Sequence, residues 1–192
     1  MPVVPPEPTD DDNKTDKPSA PLSFLWETLQ TLALALILFF VIDAVIARVY
    51  VENVSMLPTL HPGEFLLVNK YAYAWGGEMQ RGDVIVFHHP PDPDYIKRLI
   101  GLPGDEVRMD KGQLYINGVK VTELYTTVPA TYSGEWKVPE NMIFALGDNR
   151  DQSSDSHKWG FVPTANLVGK AILVYWPFDK IHILNDTIYL DQ

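Results

Sequence analysis

Hydrophobic and polar positions divide the chain into three stretches. From Met1 to about Pro21 large apolar residues are nearly absent, and Pro, Asp, Lys, Thr and Ser dominate. Such a stretch buries too little surface to offset its chain entropy, so a disordered tail is expected, assigned to residues 1–28. A continuous apolar run follows, Leu32-Ala33-Leu34-Ala35-Leu36-Ile37-Leu38-Phe39-Phe40-Val41-Ile42, inside a segment from Leu29 to Ala47. At about 1.5 Å per residue this segment reaches roughly 28 Å as a helix, close to the hydrocarbon thickness of a bilayer. It is apolar on every side, unlike a core helix of a soluble domain. A membrane anchor over residues 29–48 is the expectation. Val45-Ile46-Ala47 would suit a small-residue cleavage site, but a long acidic leader stands where a cleavable signal carries a short basic one. Lys14 and Lys17 before the run, and Arg48 and Lys70 after it, leave orientation open.

Beyond Val49 the period changes. Glu64–Val68, Asp83–Phe87, Met142–Leu146 and Leu167–Trp176 are short, rich in β-branched and aromatic residues, and punctuated by Gly, Pro, Asn and Asp. These are strand signals. Asn117-Gly118, between alternating apolar residues of Gln113–Val121, predicts a two-residue hairpin turn. The expected fold is mainly β: one N-terminal transmembrane helix, then a β-sheet catalytic domain over residues 49–192, with a small inserted β-hairpin lobe at about residues 107–141.

Composition adds exclusions. A chain of 192 residues can bury a real core without disulfides, and it has no cysteine, which removes thiol nucleophiles and thiolate metal sites. The formal net charge of -10 argues against a nucleic-acid partner.

Two short segments carry candidate chemistry. Ser55-Met56-Leu57-Pro58 closely follows the apolar run, and Lys97 lies within Tyr95-Ile96-Lys97-Arg98-Leu99-Ile100. A serine hydroxyl needs a base, and a lysine serves if burial keeps it neutral. In a strand Lys97 shares a face with Tyr95 and Leu99, while Arg98 points the other way with Ile96 and Ile100. Alone, a serine before a proline is ordinarily a turn residue, and a strand lysine is ordinarily exposed.

Four segments taken together resemble the sequence boxes of bacterial type I signal peptidases. They are Ser55-Met56-Leu57-Pro58-Thr59-Leu60, Arg81-Gly82-Asp83-Val84-Ile85-Val86-Phe87, Tyr95 to Asp105, and Gly147-Asp148-Asn149-Arg150-Asp151-Gln152-Ser153-Ser154-Asp155-Ser156. They stand in the family's order behind an anchor, and with Trp159–Pro163 the match runs to Phe178. The resemblance implies Ser55 as nucleophile and Lys97 as general base. It implies that Ser153 hydrogen-bonds and orients that lysine, and that Asp148, Arg150 and Asp155 hold the site together, with Arg98 pairing one of the acids. It implies no cofactor and no metal. Signal-peptide-bearing preproteins and the lipid bilayer are the implied partners, with the catalytic domain on the extracytoplasmic side of the bacterial cytoplasmic membrane. Two positions depart from the pattern. Asn53 stands where many members carry a hydroxyl that helps form the oxyanion hole; its amide is a candidate donor beside the Ser55 N–H. His157 stands where an arginine is frequent, which would make a salt bridge there pH-dependent.

Rival readings are a Ser-His-Asp hydrolase using His61, His88, His89, His157 or His182, a self-cleaving Ser-Lys repressor, a metal site at His88, His89, Asp92 and Asp94, and a partner-binding β-domain contacting through Trp136, Trp159, Trp176 and Phe178. The first lacks a nucleophile-elbow pattern around Ser55. The second lacks a DNA-binding segment between Met1 and Ala47. In the third, adjacent strand histidines face opposite ways.

Overall fold

The computed structural model describes residues 20–74, 76–91, 94–184 and 189–190. The expected tail therefore lies outside the described residues up to residue 19. The chain divides into two compact units, 1–41 and 42–192.

Helix α1 (Ala20–Val45) holds the apolar run. It begins earlier than the expected anchor because Pro21 is tolerated in a first turn. The polar residues that follow also fit a helix: Thr28 and Thr31 donate their hydroxyls to the carbonyls of Phe24 and Glu27 at 2.8 and 2.9 Å. It ends at Val45 rather than Arg48, because Ile46–Tyr50 forms strand β1. Within the helix, the stretch Ser23–Val45 (23 residues) is the one segment among the described residues long and apolar enough to cross a membrane, compatible with a single-pass anchor. Its side chains from Phe24 to Val45 are exposed.

The second unit is mainly β. After β1 come β2 (Phe65–Asn69), β3 (Val84–Phe87), β4 (Tyr95–Gly101), β5 (Glu106–Asp110), β6 (Gln113–Ile116), β7 (Val119–Thr122), β8 (Gly134–Lys137) and β9 (Met142–Leu146). A one-turn helix α2 (Ser156–Trp159), then β10 (Val162–Pro163), β11 (Leu167–Trp176), β12 (His182–Ile183) and β13 (Tyr189–Leu190) complete the order. An eight-stranded sheet runs β1-β2-β11-β3-β4-β9-β10, with β12 beside β11. Every pairing is antiparallel, and β11 bends through register shifts against both β2 and β3. The second sheet is five-stranded, β13-β7-β6-β5-β8. The insertion between β4 and β9 is thus more than the expected hairpin: it is a sheet that also takes up β13. Asn117 and Gly118 both adopt positive φ, 52° and 79°, as a type I′ turn requires.

The central strands are covered on both faces, which explains their unbroken apolar runs. Val84 and Val86 of β3 enter one core with Met56, Leu60, Leu66 and Val174. Ile85 and Phe87 enter another with Leu99, Ile143 and Ala145. Phe144 and Leu146 of β9 turn instead toward the five-stranded sheet, packing with Ile100, Val107 and Leu114. Trp136 packs against that last core and Trp159 against the Ile85 core, so neither is a free contact residue.

Candidate active site

Ser55 sits in a single 3₁₀ turn, Val54–Met56, just after β1. The turn is held from below and from the side. Met56 and Leu60 are fully buried, each burial being worth about 1.5–3 kcal/mol. Asn149 grips the turn twice, its N–H donating to the Ser55 carbonyl at 3.0 Å and its side-chain amide to the Val54 carbonyl at 3.1 Å. The segment Gly147–Ser156 thereby reaches the backbone of Ser55.

Lys97 comes from β4, paired opposite Ile85 of β3. It is only 4% exposed. Its Nζ lies 2.6 Å from Ser55 Oγ and 5.5 Å from the centre of the Tyr95 ring on the same face. Burial lowers its pKa from 10.5 to about 8; the negative charges of Asp155 and then Asp148 oppose that fall without cancelling it. An amine so placed is neutral in an appreciable fraction of molecules near neutral pH.

The next residue faces the opposite way into a charged core. Arg98 and Asp148 are 1% and 0% exposed. Nε and Nη2 of Arg98 donate to the two Asp148 oxygens at 2.8 and 2.7 Å, and Nη1 donates to the Gly82 carbonyl at 2.7 Å. The Thr59 hydroxyl donates to Asp148 at 2.6 Å, and the guanidinium lies 4.0 Å from the centre of the Tyr125 ring. This tie joins the serine loop, β4 and the end of β9. Arg98 thus pairs one of the acids as expected, and Arg150 pairs with Glu123 through both terminal nitrogens and donates Nε to the Gly147 carbonyl at 3.1 Å. Asp155 caps α2, accepting the Gly147 N–H at 2.9 Å and the His157 Nδ1 at 2.6 Å.

One expectation shifts. Ser153 is buried beside the site, but its Oγ has no hydrogen-bond partner, so the expected bond to Lys97 is not made; the amine is turned to Ser55 instead. Gly147 explains how Ser153 comes so close, since a Cβ there would lie 2.3 Å from Ser153 Oγ and 2.5 Å from the Ser55 carbonyl. Asn53 is exposed and caps nothing with its side chain. It lines an open groove of about 890 Å³ bounded by Arg48–Met56 and Asp94–Lys97, with Gln152 and Ser154. Thr59, Tyr125, Glu123 and Gly147 were not foreseen as site residues. Only Gly147 and Thr59 lie inside the matching segments, where their role could have been sought.

The rivals find less. His88 pairs with Asp94 through Nδ1, while His89 stacks on Trp159 at 4.2 Å. Asp92 lies outside the described residues, and among those described no three His, Cys, Asp or Glu side chains converge as metal ligands. A second hollow of about 710 Å³, lined by Tyr73, Leu102 and Gly169 among others, holds none of the predicted site residues.

A β-sheet domain that brings a serine hydroxyl to a buried amine beside an open groove has the parts an acyl-transferring hydrolase needs. The chain belongs to the signal peptidase family, peptidase S26, whose profile matches residues 25–176. A probable signal peptidase I-2 of Synechocystis sp. is 39% identical over 180 residues, 88% of this chain and 82% of that protein. Signal peptidase I of Leptolyngbya laminosa is 38% identical over 192 residues, 94% of this chain and 91% of that protein. A crystal structure of a signal peptidase I from Enterococcus faecalis V583 is 38% identical, covering 48% of this chain and 96% of that one with a TM-score of 0.45.

Proposed function

We propose that this peptidase cuts signal peptides from exported preproteins with Ser55 as nucleophile and neutral Lys97 as general base, held at a membrane by α1. The observation that carries the reading is the 2.6 Å approach of a buried lysine amine to a serine hydroxyl at the floor of a groove. The activity for which the signal peptidase family is named supplies the substrate class.

In the proposed reaction the lone pair of Lys97 Nζ accepts the Ser55 proton as the oxygen attacks the scissile carbonyl. Charge develops on the carbonyl oxygen, and the Ser55 N–H with the Asn53 amide receives it. Lys97 then returns its proton to the departing amine, leaving an ester on Ser55. A water deprotonated by Lys97 releases the acyl group. Arg98, Asp148, Arg150 and Asp155 keep the two reacting groups in register. An extended preprotein segment with small residues at the first and third positions before the cut suits a shallow groove between strands. The anchor is taken as the helix through Val45, with the β domain on the extracytoplasmic face of the bacterial cytoplasmic membrane; confining enzyme and substrate to one bilayer raises their encounter rate.

The test is cleavage of an Ala-X-Ala signal-bearing substrate in detergent. Ser55→Ala and Lys97→Ala should each abolish turnover while near-ultraviolet circular dichroism stays native. Undiminished cleavage by either variant removes the mechanism.

A further inference from the structure

The connection from β7 to β8 leaves the five-stranded sheet and meets the charged core behind the reacting pair. The Tyr125 ring centre lies 4.0 Å from the Arg98 guanidinium and 5.9 Å from that of Arg150. Its hydroxyl donates to Glu123 at 2.7 Å. The same carboxylate accepts hydrogen bonds from both terminal nitrogens of Arg150, and the two side chains of that pair are 9% and 2% exposed. Burial first, and then the charge of Glu123, push the Tyr125 hydroxyl well above the usual tyrosine range, so it stays a donor. The two arginines serve different halves of the site. Arg98 follows Lys97 on β4 and reaches Thr59 of the serine loop through Asp148. Arg150 holds the carbonyl of Gly147, the residue packed against the Ser55 carbonyl. Farther along the connection, the N–H and hydroxyl of Thr131 donate to Asp151, both at 3.0 Å, and the Tyr132 ring stacks on His157 at 3.9 Å. The connection is thus fastened to the segment Gly147–Ser156 at Glu123 and again at Thr131 and Tyr132.

We propose that Glu123 and Tyr125 are positioning residues through which the five-stranded sheet sets the approach of Lys97 to Ser55. The inference rests on the reading of those two residues as base and nucleophile. A guanidinium held by both arms of a carboxylate has one orientation, and an aromatic face against a guanidinium restricts it further. Tyr125 does the second for Arg98 and, by orienting Glu123, supports the first for Arg150. Loss of the ring loosens Arg98, and with it the tie from β4 to the serine loop. Loss of the Glu123 charge leaves a buried cation without its partner and frees the Gly147 carbonyl to shift. Neither Glu123 nor Tyr125 lines the groove beside Ser55. Their removal should therefore act on the alignment of the reacting groups and not on substrate binding, which lowers kcat and spares KM.

The experiment measures kcat and KM in detergent on one signal-peptide substrate, at a temperature where circular dichroism shows each variant folded. It compares the full-length wild type with Tyr125→Leu, Tyr125→Phe, Glu123→Gln, the Tyr125→Phe/Glu123→Gln double variant, Lys97→Ala and Tyr115→Leu. Tyr115 makes the same kind of stack, 3.9 Å from Arg108, on the same sheet, so Tyr115→Leu controls for the loss of such packing alone. Tyr125→Leu should lower kcat by about 10²-fold with KM within about threefold of wild type, while Tyr115→Leu moves neither. Tyr125→Phe keeps the ring and should recover most of that loss. The remaining deficit should vanish in the Glu123→Gln background, because the hydroxyl acts through that carboxylate. A kcat for Tyr125→Leu equal to that of Tyr115→Leu, or a loss carried wholly by KM, overturns the inference. If Tyr125→Leu does not fold, Tyr125→Phe and Glu123→Gln decide: wild-type kcat in both overturns it, and a fall in kcat at constant KM supports it. With Lys97→Ala dead, an overturned inference leaves the base reading standing. An active Lys97→Ala removes the base reading and this inference with it.

Discussion

Gly147→Ala adds one methyl group at the point where the segment Gly147–Ser156 meets Ser55. The new carbon would sit 2.3 Å from Ser153 Oγ, 2.7 Å from Ser153 Cβ and 2.5 Å from the Ser55 carbonyl oxygen. Ser153 can relieve part of the clash by changing rotamer. The Ser55 carbonyl is backbone, and it is already fixed by the Asn149 N–H at 3.0 Å. Ordinary contact needs about 1 Å more room, so the turn carrying Ser55 must move by that order. A shift of about 1 Å between reacting groups costs about 10²-fold in rate, and overpacking of a buried site costs about 1–3 kcal/mol. The expected result is a fall of about 10²-fold in kcat/KM with a drop in Tm of about 3–10 °C. Gly63→Ala separates the causes: no atom lies within 4 Å of its added carbon, but φ is +93°, so it should lower Tm through backbone strain and leave turnover intact. The assay is cleavage of an internally quenched signal peptide, with thermal melts by circular dichroism on the same samples. Gly147→Ala activity within about threefold of wild type would refute the claim that close packing at this glycine positions the nucleophile.

Lys97→Met should be inactive yet more stable than wild type at pH 7. The unfolded lysine titrates at 10.5 and the folded one at about 8, a difference worth about 3 kcal/mol as an upper bound. The native state carries that whole cost below pH 8 and recovers it between 8 and 10.5, where the unfolded chain binds more protons. The advantage of Lys97→Met in urea unfolding should therefore shrink across that window, and an advantage that grows with pH would contradict the sign. Arg98→Met strands the buried Asp148 carboxylate and should cost about 3–5 kcal/mol, while adding Asp148→Leu should recover much of it; chemical denaturation of the single and double variants measures both. Removal of residues 1–41, the first compact unit, should shift the protein out of the membrane pellet after alkaline extraction while peptide cleavage in detergent persists; retention in the pellet would point to a second attachment.

The parts of this molecule that were legible before folding are those in which adjacent residues carry the message. The strand from Met142 to Leu146 reads correctly because each of its faces has its own core, so local hydrophobicity and burial agree. Asn117-Gly118 declares its turn because few other residue pairs adopt two positive φ values cheaply. Lys111-Gly112 makes a similar excursion, with φ of 49° and 79°, but a lysine carries no such preference and that turn passed unnoticed. The lower boundary of the helix failed for a comparable reason: Ile46, Ala47 and Val49 suit an apolar helix as well as a strand, and only pairing with Leu66–Asn69 decides between them. At the site, the order of motifs marked Ser55 and Lys97 although 42 positions separate them. It could not reveal that Arg150 takes Glu123, which lies 27 residues upstream in a segment without distinctive pattern. Nor could it show that Ser153 turns its hydroxyl away from any partner. Pairings of that kind depend on how two sheets meet, and the meeting is set by core volume rather than by neighbours along the chain. Charge networks around a reactive pair are therefore where sequence reading should be trusted least.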